Sequence, residues 1–193
     1  NNIGIIKRER GDVNEAIEAF RLAIKWSPSL KQAHINAVDS LKGKAFSSPR
    51  PEMMDMIESF FNHSDLITPK DFAPAAVSLI RLDNPVKELL DNLEVRDSHS
   101  VAHKISTLSR IPFLLKLMAV CPLPDARIEN LLMTIRSELL FGIQESKPST
   151  EILAFQSALA LQCFTNEYIY SKTEEEHEAL QKLESVIVKY LDR

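Results

Sequence analysis

Two histidines four residues apart have the spacing of paired metal ligands. His99 and His103 would share one face of a helix, as two imidazoles do in helical zinc sites. Ser100, however, follows His99 where a metalloprotease of that kind needs a glutamate base, and no third ligand stands nearby. We therefore favour two solvated histidines near a helix start over a metal site. No cofactor is expected.

A second polar group interrupts the most apolar stretch of the chain, residues 152–166. Polar groups inside a helical core must be hydrogen-bonded, so a buried network that fixes helix register is the favoured interpretation. The alternative is a surface that contacts a ligand or a partner, formed by Gln162, Asn166, Glu167 and Tyr170. Since Glu167 has no recognisable general-acid partner, the group does not indicate catalysis.

Motifs of nucleotide binding and nucleophilic catalysis are absent from the sequence. The four glycines are scattered, and Gly43-Lys44 lacks the upstream glycine of a phosphate-binding loop. There is no G-x-S-x-G elbow. Cys121 and Cys163 lie in apolar runs, which is typical of small buried side chains in a reducing compartment such as the cytoplasm. We expect that the chain is not an enzyme.

Charge and hydropathy exclude two classes of partner. The chain has 23 basic and 27 acidic residues and a net charge of -4, so it offers no large basic field for nucleic acid. Residues 152–166 carry no charge but number only 15, whereas a membrane-spanning helix needs roughly 20. That stretch predicts a buried helix. Because Asn1 is not Met and falls inside a helical pattern, we expect a piece of a longer protein.

Apolar residues recur every three or four positions along most of the chain, and prolines fall between these segments. The pattern predicts an all-α fold of about eleven helices. The segment 150–170 is apolar nearly all round, which predicts the central helix of the second half. Thr173 and Glu176 form a capping box that opens the last helix, with Leu180, Leu183 and Ile187 facing inward.

The first 28 residues contain two helical patterns separated by a glycine turn. The residues that define this pattern are Ile3-Gly4, Gly11-Asp12, Ala16, Phe20, Ala23 and Pro28. The segment resembles a tetratricopeptide repeat (TPR) that lacks its first residues. A second, degenerate repeat begins at Ser29 and loses the pattern at 47–51. We expect TPR-like helix pairs over 1–46, as the start of an α-α superhelix, and an irregular multi-helix domain over 47–193.

The TPR resemblance implies a role in binding proteins or peptides without naming a partner. In such superhelices the helix after a repeat often contributes to the concave binding face, so His34 and Asn36 are candidate partner contacts. We expect a non-catalytic protein-interaction or scaffold module. Two alternatives remain: a helical ligand- or metal-binding domain, and a homo-oligomerisation module that covers the apolar flank left by the incomplete repeat.

The second half carries another resemblance. The runs 124–132 (PDARIENLL) and 160–168 (ALQCFTNEY) are similar to a helical region of certain bacterial TPR proteins. There the region lies between the repeats and a class I S-adenosylmethionine-dependent methyltransferase domain. This implies an accessory, non-catalytic piece of a methyltransferase-linked protein. The catalytic domain would lie beyond Arg193, because no strand followed by a glycine-rich loop occurs in the chain.

Overall fold

The computed structural model describes residues 1–93, 99–142, 149–166 and 171–191. These ranges form eleven α-helices, one short 3-10 helix at Phe61–His63 and no β-strand, which confirms the predicted all-α class. In chain order the helices are α1 (Asn2–Glu9), α2 (Val13–Trp26), α3 (Lys31–Leu41), α4 (Pro51–Phe60), α5 (Pro69–Leu82), α6 (Asn84–Asp91), α7 (Val101–Ser109), α8 (Leu114–Val120), α9 (Ala126–Phe141), α10 (Thr150–Thr165) and α11 (Glu174–Leu191).

Helices α1, α2 and α3 pack consecutively, α1 on α2 and α2 on α3. The α1–α2 contact depends on Gly4, because a Cβ there would lie 2.5 Å from Cε1 of the buried Phe20 ring. The turn between the two helices contains Gly11 at φ +86°, a left-handed conformation that glycine adopts without strain. Both glycines of the TPR-like pattern thus have a packing or turn role.

One continuous apolar core extends from α2 to α10. Helix α4 contacts α2 and α5 contacts α3, so the helices on the two sides of the stretch 47–51 pack against each other. Further along, α8 packs on α5, α7 and α10. Pro51 and Pro69 stand at helix starts, where the missing N–H leaves no hydrogen bond unmade. Among the described helices, none is both long and apolar enough to span a membrane.

Helix α10 is not the fully buried central helix that its composition predicts. Its inner face, with Phe155, Leu159 and Gln162, is buried against α7 and α8. Its opposite face leaves Leu153, Leu161 and Phe164 between 47% and 65% exposed. Apolar side chains therefore occur on both sides of α10 although the described neighbours cover only one.

Helix α11 begins with the predicted capping box. The Thr173 N–H donates to Glu176 Oε2 at 2.9 Å, and the Glu176 N–H donates to Thr173 Oγ1 at 3.1 Å. Helix α11 packs on α9, with Leu180 and Leu183 half-buried. Ile187, predicted to face inward, is about half-exposed instead, because no described element lies over that part of the helix.

Candidate functional site

A groove of about 470 Å³ lies between α9, α10 and α11. We call it the α10 groove. Its apolar walls are formed by Leu139, Leu140, Leu159, Ala160, Leu180 and Leu183. Its polar lining consists of Arg136, Gln156, Cys163, Lys172 and Glu176. Both the volume and the mixture of aliphatic walls with a few polar groups are typical of binding sites.

An ion pair holds one wall of the groove in place. Arg136 of α9 donates from Nη2 to both carboxylate oxygens of Glu176, each at 3.2 Å, and to the Ser171 carbonyl at 3.0 Å. The pair fixes the first turn of α11 on α9. Helix α10, in contrast, is anchored on α7 and α8. The groove is therefore the space between α10, which packs on α7 and α8, and α11, which packs on α9.

Glu176 is buried yet stays ionised at neutral pH. Burial alone raises the pKa of its carboxyl group. Hydrogen bonds from the Thr173 N–H and from Arg136, with the positive charge of Arg136, outweigh this effect, so the pKa of Glu176 is lowered from its ordinary value of 4.5. The carboxylate is a structural anchor and is poorly suited to proton transfer.

The thiol in the groove is also poorly suited to chemistry. Burial raises the pKa of Cys163, and the nearby charges of Arg136 and Lys172 offset this only in part. A thiolate is the nucleophilic form, so a raised pKa makes the side chain react more slowly than an exposed cysteine. Cys121 is buried, and burial raises its pKa to about 11. Neither cysteine has the environment of a catalytic nucleophile.

The outer side of α10 extends the apolar surface beyond the groove. We call Leu153, Leu161 and Phe164 the α10 face. The three side chains recur at spacings of eight and three residues, which places them along one side of the helix. The stretch 152–166 contains no charged residue. An uncharged helical face with several half-exposed large side chains is unusual on a protein surface and marks a candidate interaction site.

The polar group predicted beside this surface is largely inside the protein. Gln162 is fully buried among the Met118 and Cys121 carbonyls and the Leu123 N–H. With its amide oriented to suit these groups, the nitrogen donates to the two carbonyls at 2.9 and 3.1 Å and the oxygen accepts from the Leu123 N–H at 3.2 Å. The Asn166 amide donates to Glu129 Oε1 at 3.3 Å. These hydrogen bonds attach α10 to neighbouring elements. Gln162 and Asn166 therefore do not form the ligand- or partner-contacting surface that was the alternative interpretation. Glu167 and Tyr170 lie outside the described residues.

His34 and Asn36 do not form the expected concave contact surface either, because both are buried. His34 Nδ1 is 3.1 Å from the Leu30 carbonyl oxygen, and its ring centroid lies 4.1 Å from that of His63. Its Nε2 is buried without a hydrogen-bond partner in the described part of the chain. The Asn36 amide donates to Asn1 Oδ1 at 2.9 Å. Both side chains pack α3 against its neighbours.

The two candidate metal ligands have a different geometry from the one expected. Because α7 begins at Val101, His99 precedes the helix, and its ring stacks on that of His103 with centroids 4.9 Å apart. The helix is capped by the Ser100 hydroxyl, which accepts from the His103 N–H. Within the described ranges, no group of three or more His, Cys, Asp and Glu side chains could hold a metal ion.

Sequence reasoning missed an ion pair between a buried lysine of α7 and a glutamate of α9. Lys104 of α7 is fully buried, and its Nζ lies 2.7 Å from Glu138 Oε1 of α9. The signal was present, since position 104 falls in the same helical stripe as the buried Ile105 and Leu108. A lysine in a core stripe indicates a buried charge with a partner.

A second apolar surface lies on α1 and α2, remote in sequence from the groove. Trp26 is 84% exposed, beside Ile3 and Leu22. The surrounding charges are already paired within the chain, Lys7 with Glu15 and Arg50 with Glu18. This surface is less enclosed by helices than the α10 groove, so the groove is the stronger candidate.

No family model matches the chain, and no curated protein and no solved structure matches it.

Proposed function

We propose that this protein is a non-catalytic protein-interaction module, and that it binds an amphipathic helix in the α10 groove. The observation that carries the proposal is the aliphatic groove beside an uncharged, exposed α10 face. Laying the apolar face of a helix into such a groove is a recurring mode of recognition.

The dimensions of the groove suit a helix. Helix α10 has 16 residues and so is about 24 Å long. A helix lying along it would present a row of about four or five side chains on successive turns. Leu159, Leu180 and Leu183 would contact that row, and burial of aliphatic surface would supply the binding free energy.

The polar residues of the groove support binding over catalysis. The Glu176 carboxylate is engaged by Arg136 and by the start of α11, and the Cys163 thiol has a raised pKa. Lys172 is a lining cation without an ion-pair partner in the described part of the chain. It is positioned to contact a polar or acidic edge of a bound helix.

The two sequence resemblances are compatible with this proposal. A TPR-type start implies partner recognition, and the resemblance of 124–132 and 160–168 implies association with a methyltransferase domain. Under that association, the groove would hold a protein segment while the separate domain acts on it. The groove-binding proposal stands without this extension.

The test is a titration with a designed probe. We would label an amphipathic peptide of about 18 residues, with a leucine face and mixed Lys and Glu elsewhere, and a scrambled peptide of the same composition. Fluorescence anisotropy should detect saturable binding of the amphipathic peptide alone. Leu183→Glu should abolish the binding, whereas Leu66→Glu, on an exposed side chain outside the groove, should leave it unchanged.

Two results would contradict the proposal. One is the absence of amphipathic-peptide binding to the native protein at concentrations where it is monomeric. The other is equal binding by the native protein and by a folded Leu183→Glu variant, since the peptide would then use another surface. Circular dichroism of each variant establishes that it is folded.

A further inference from the structure

We infer that the natural occupant of the α10 groove is helix α11 of a second copy of this chain, which lies antiparallel to the first α11. The inference deepens the proposed function and rests on it, because it names the partner of the same groove. It follows from an exposed apolar helix end, the acceptor surface beside it and the distribution of charge along α11.

The second half of α11 has apolar side chains that nothing described covers. Val186, Ile187 and Val188 are 46–55% exposed. Three successive residues of a helix point in directions about 100° apart, so this part of α11 is open to solvent over a wide arc. An exposed Val-Ile-Val segment at the end of a surface helix can pack into an apolar groove of another molecule.

The exposed α11 segment and the α10 groove lie next to each other in one molecule. Leu180 and Leu183 of α11 line the α10 groove, and the exposed segment follows them on the same helix. A twofold axis between two copies would place the α11 end of each in the α10 groove of the other, next to the adjoining α10 face. Such an interface is complete with two copies, because each copy inserts its α11 segment into the groove of the other.

Charge along α11 favours the antiparallel direction. Residues 174–178 contain four glutamates, and residues 182–189 contain two lysines and one glutamate, so the net charge is -4 in the first segment and +1 in the second. A parallel pair would bring the glutamates together. An antiparallel pair would bring Glu174 and Glu175 toward Lys189 of the second copy.

The available area is of the right order for a dimer. Two neighbouring helices about 25 Å long and about 10 Å apart present roughly 500 Å² of flat area. The accessible surface of the side chains on such a face is larger than the flat area. The area that each copy could bury therefore approaches the roughly 800 Å² per partner of a stable interface.

Sedimentation velocity over a range of protein concentrations tests the pairing. We expect a reversible monomer–dimer equilibrium in the native protein. Leu153→Glu, on the part of the α10 face next to the groove, and Ile187→Glu on α11 should each shift the protein to monomer without unfolding it, since both side chains are about half-exposed. Leu66→Glu is the matched control: Leu66 is 44% exposed, like Leu153 at 49%, but lies outside the face.

A charge exchange tests the direction of the helices. Glu175→Lys alone and Lys189→Glu alone should each weaken the dimer by roughly 3- to 10-fold, because each replaces attraction with repulsion at both ends of the twofold pair. An equimolar mixture of the two variants should restore dimerisation, since every 175–189 contact then joins opposite charges. If the single variants associate as well as the native chain, the antiparallel arrangement is wrong.

The outcomes separate this inference from the proposed function. A native protein that stays monomeric at every concentration overturns self-pairing, while peptide binding that Leu183→Glu abolishes would still support the groove as a site for another protein. A dimer that survives both Leu153→Glu and Ile187→Glu uses a different surface and overturns the inference. Loss of peptide binding in a monomeric native protein would overturn both.

Discussion

Arg136 and Glu176 form a two-oxygen ion pair between α9 and α11, with both nitrogen–oxygen distances at 3.2 Å. Glu176 is almost completely buried and also closes the capping box of α11. The same carboxylate therefore starts the helix and attaches it to its support. The position of one wall of the α10 groove depends on this pair.

We expect Arg136→Met to loosen α11 because the buried Glu176 loses its cation. Loss of a charged hydrogen-bond partner from a buried group should lower the free energy of unfolding by about 1–3 kcal/mol. Hydrogen–deuterium exchange of the α11 amides should accelerate more than that of α8. The control is Arg127→Met, which removes an exposed pair with Asp91 worth at most about 1 kcal/mol. Equal effects of the two substitutions would contradict this role.

Acid should release α11 through Glu176. Since the pKa of Glu176 in the folded state is lowered from 4.5, ionisation stabilises the fold above that pH, and the contribution is lost as pH falls through the folded value. We expect denaturant unfolding of the native protein to weaken more steeply below about pH 4.5 than that of Glu176→Gln. Parallel pH profiles for the two proteins would show that Glu176 contributes no such linkage.

The buried His34 should produce a second pH dependence in a higher range. Burial lowers its pKa from 6.5, the hydrogen bond with the Leu30 carbonyl opposes this, and the electrostatic effect of the neighbouring His63 lowers it further. The unfolded chain then binds a proton that the folded chain rejects, so stability is full above pH 6.5 and falls as the pH drops below it.

We expect His34→Phe to flatten the stability profile between about pH 7 and pH 5, because the phenyl ring keeps the aromatic contacts but does not titrate. The measurement is the free energy of unfolding by urea at a series of pH values. A slope equal to that of the native protein would assign the effect to another group.

The Lys104–Glu138 pair joins a fully buried ammonium to a carboxylate that is 36% exposed. Glu138→Ala removes one anion beside Lys104 and should lower the free energy of unfolding by about 1–3 kcal/mol, because a charged hydrogen bond of a buried group is lost. The double variant Lys104→Met with Glu138→Leu should recover part of that loss, because the buried ammonium is removed together with the carboxylate. A double variant less stable than Glu138→Ala would contradict this account. Thermal unfolding followed by circular dichroism distinguishes the three proteins.

Local rules in the sequence predicted local structure well. The Thr173–Glu176 capping box and the Gly11 turn depend only on residues within one or two helical turns, and both are present. The all-α class followed in the same way from the spacing of apolar residues. Such features need no knowledge of which elements become neighbours.

The candidate site depended on information that periodicity does not contain. The apolar composition of α10 predicts burial, but only the arrangement of α7, α8 and α11 determines that one side stays open. For the same reason His34 and Asn36, polar residues expected at a surface, lie inside. Lys104 is the opposite case. The spacing of apolar residues predicts that Lys104 lies in the core, but it does not predict the partner Glu138, which is 34 residues further along the chain.

The most direct test of the central claim is the reaction rate of the Cys163 thiol during a peptide titration. Cys163 lines the α10 groove, and Cys121→Ala removes the other thiol. Added amphipathic peptide should slow reaction of Cys163 with a disulfide reagent in a saturable manner, with the same midpoint as the anisotropy titration, and the scrambled peptide should have no effect. A Cys163 rate that stays constant while the peptide binds would place the binding site elsewhere and contradict the account.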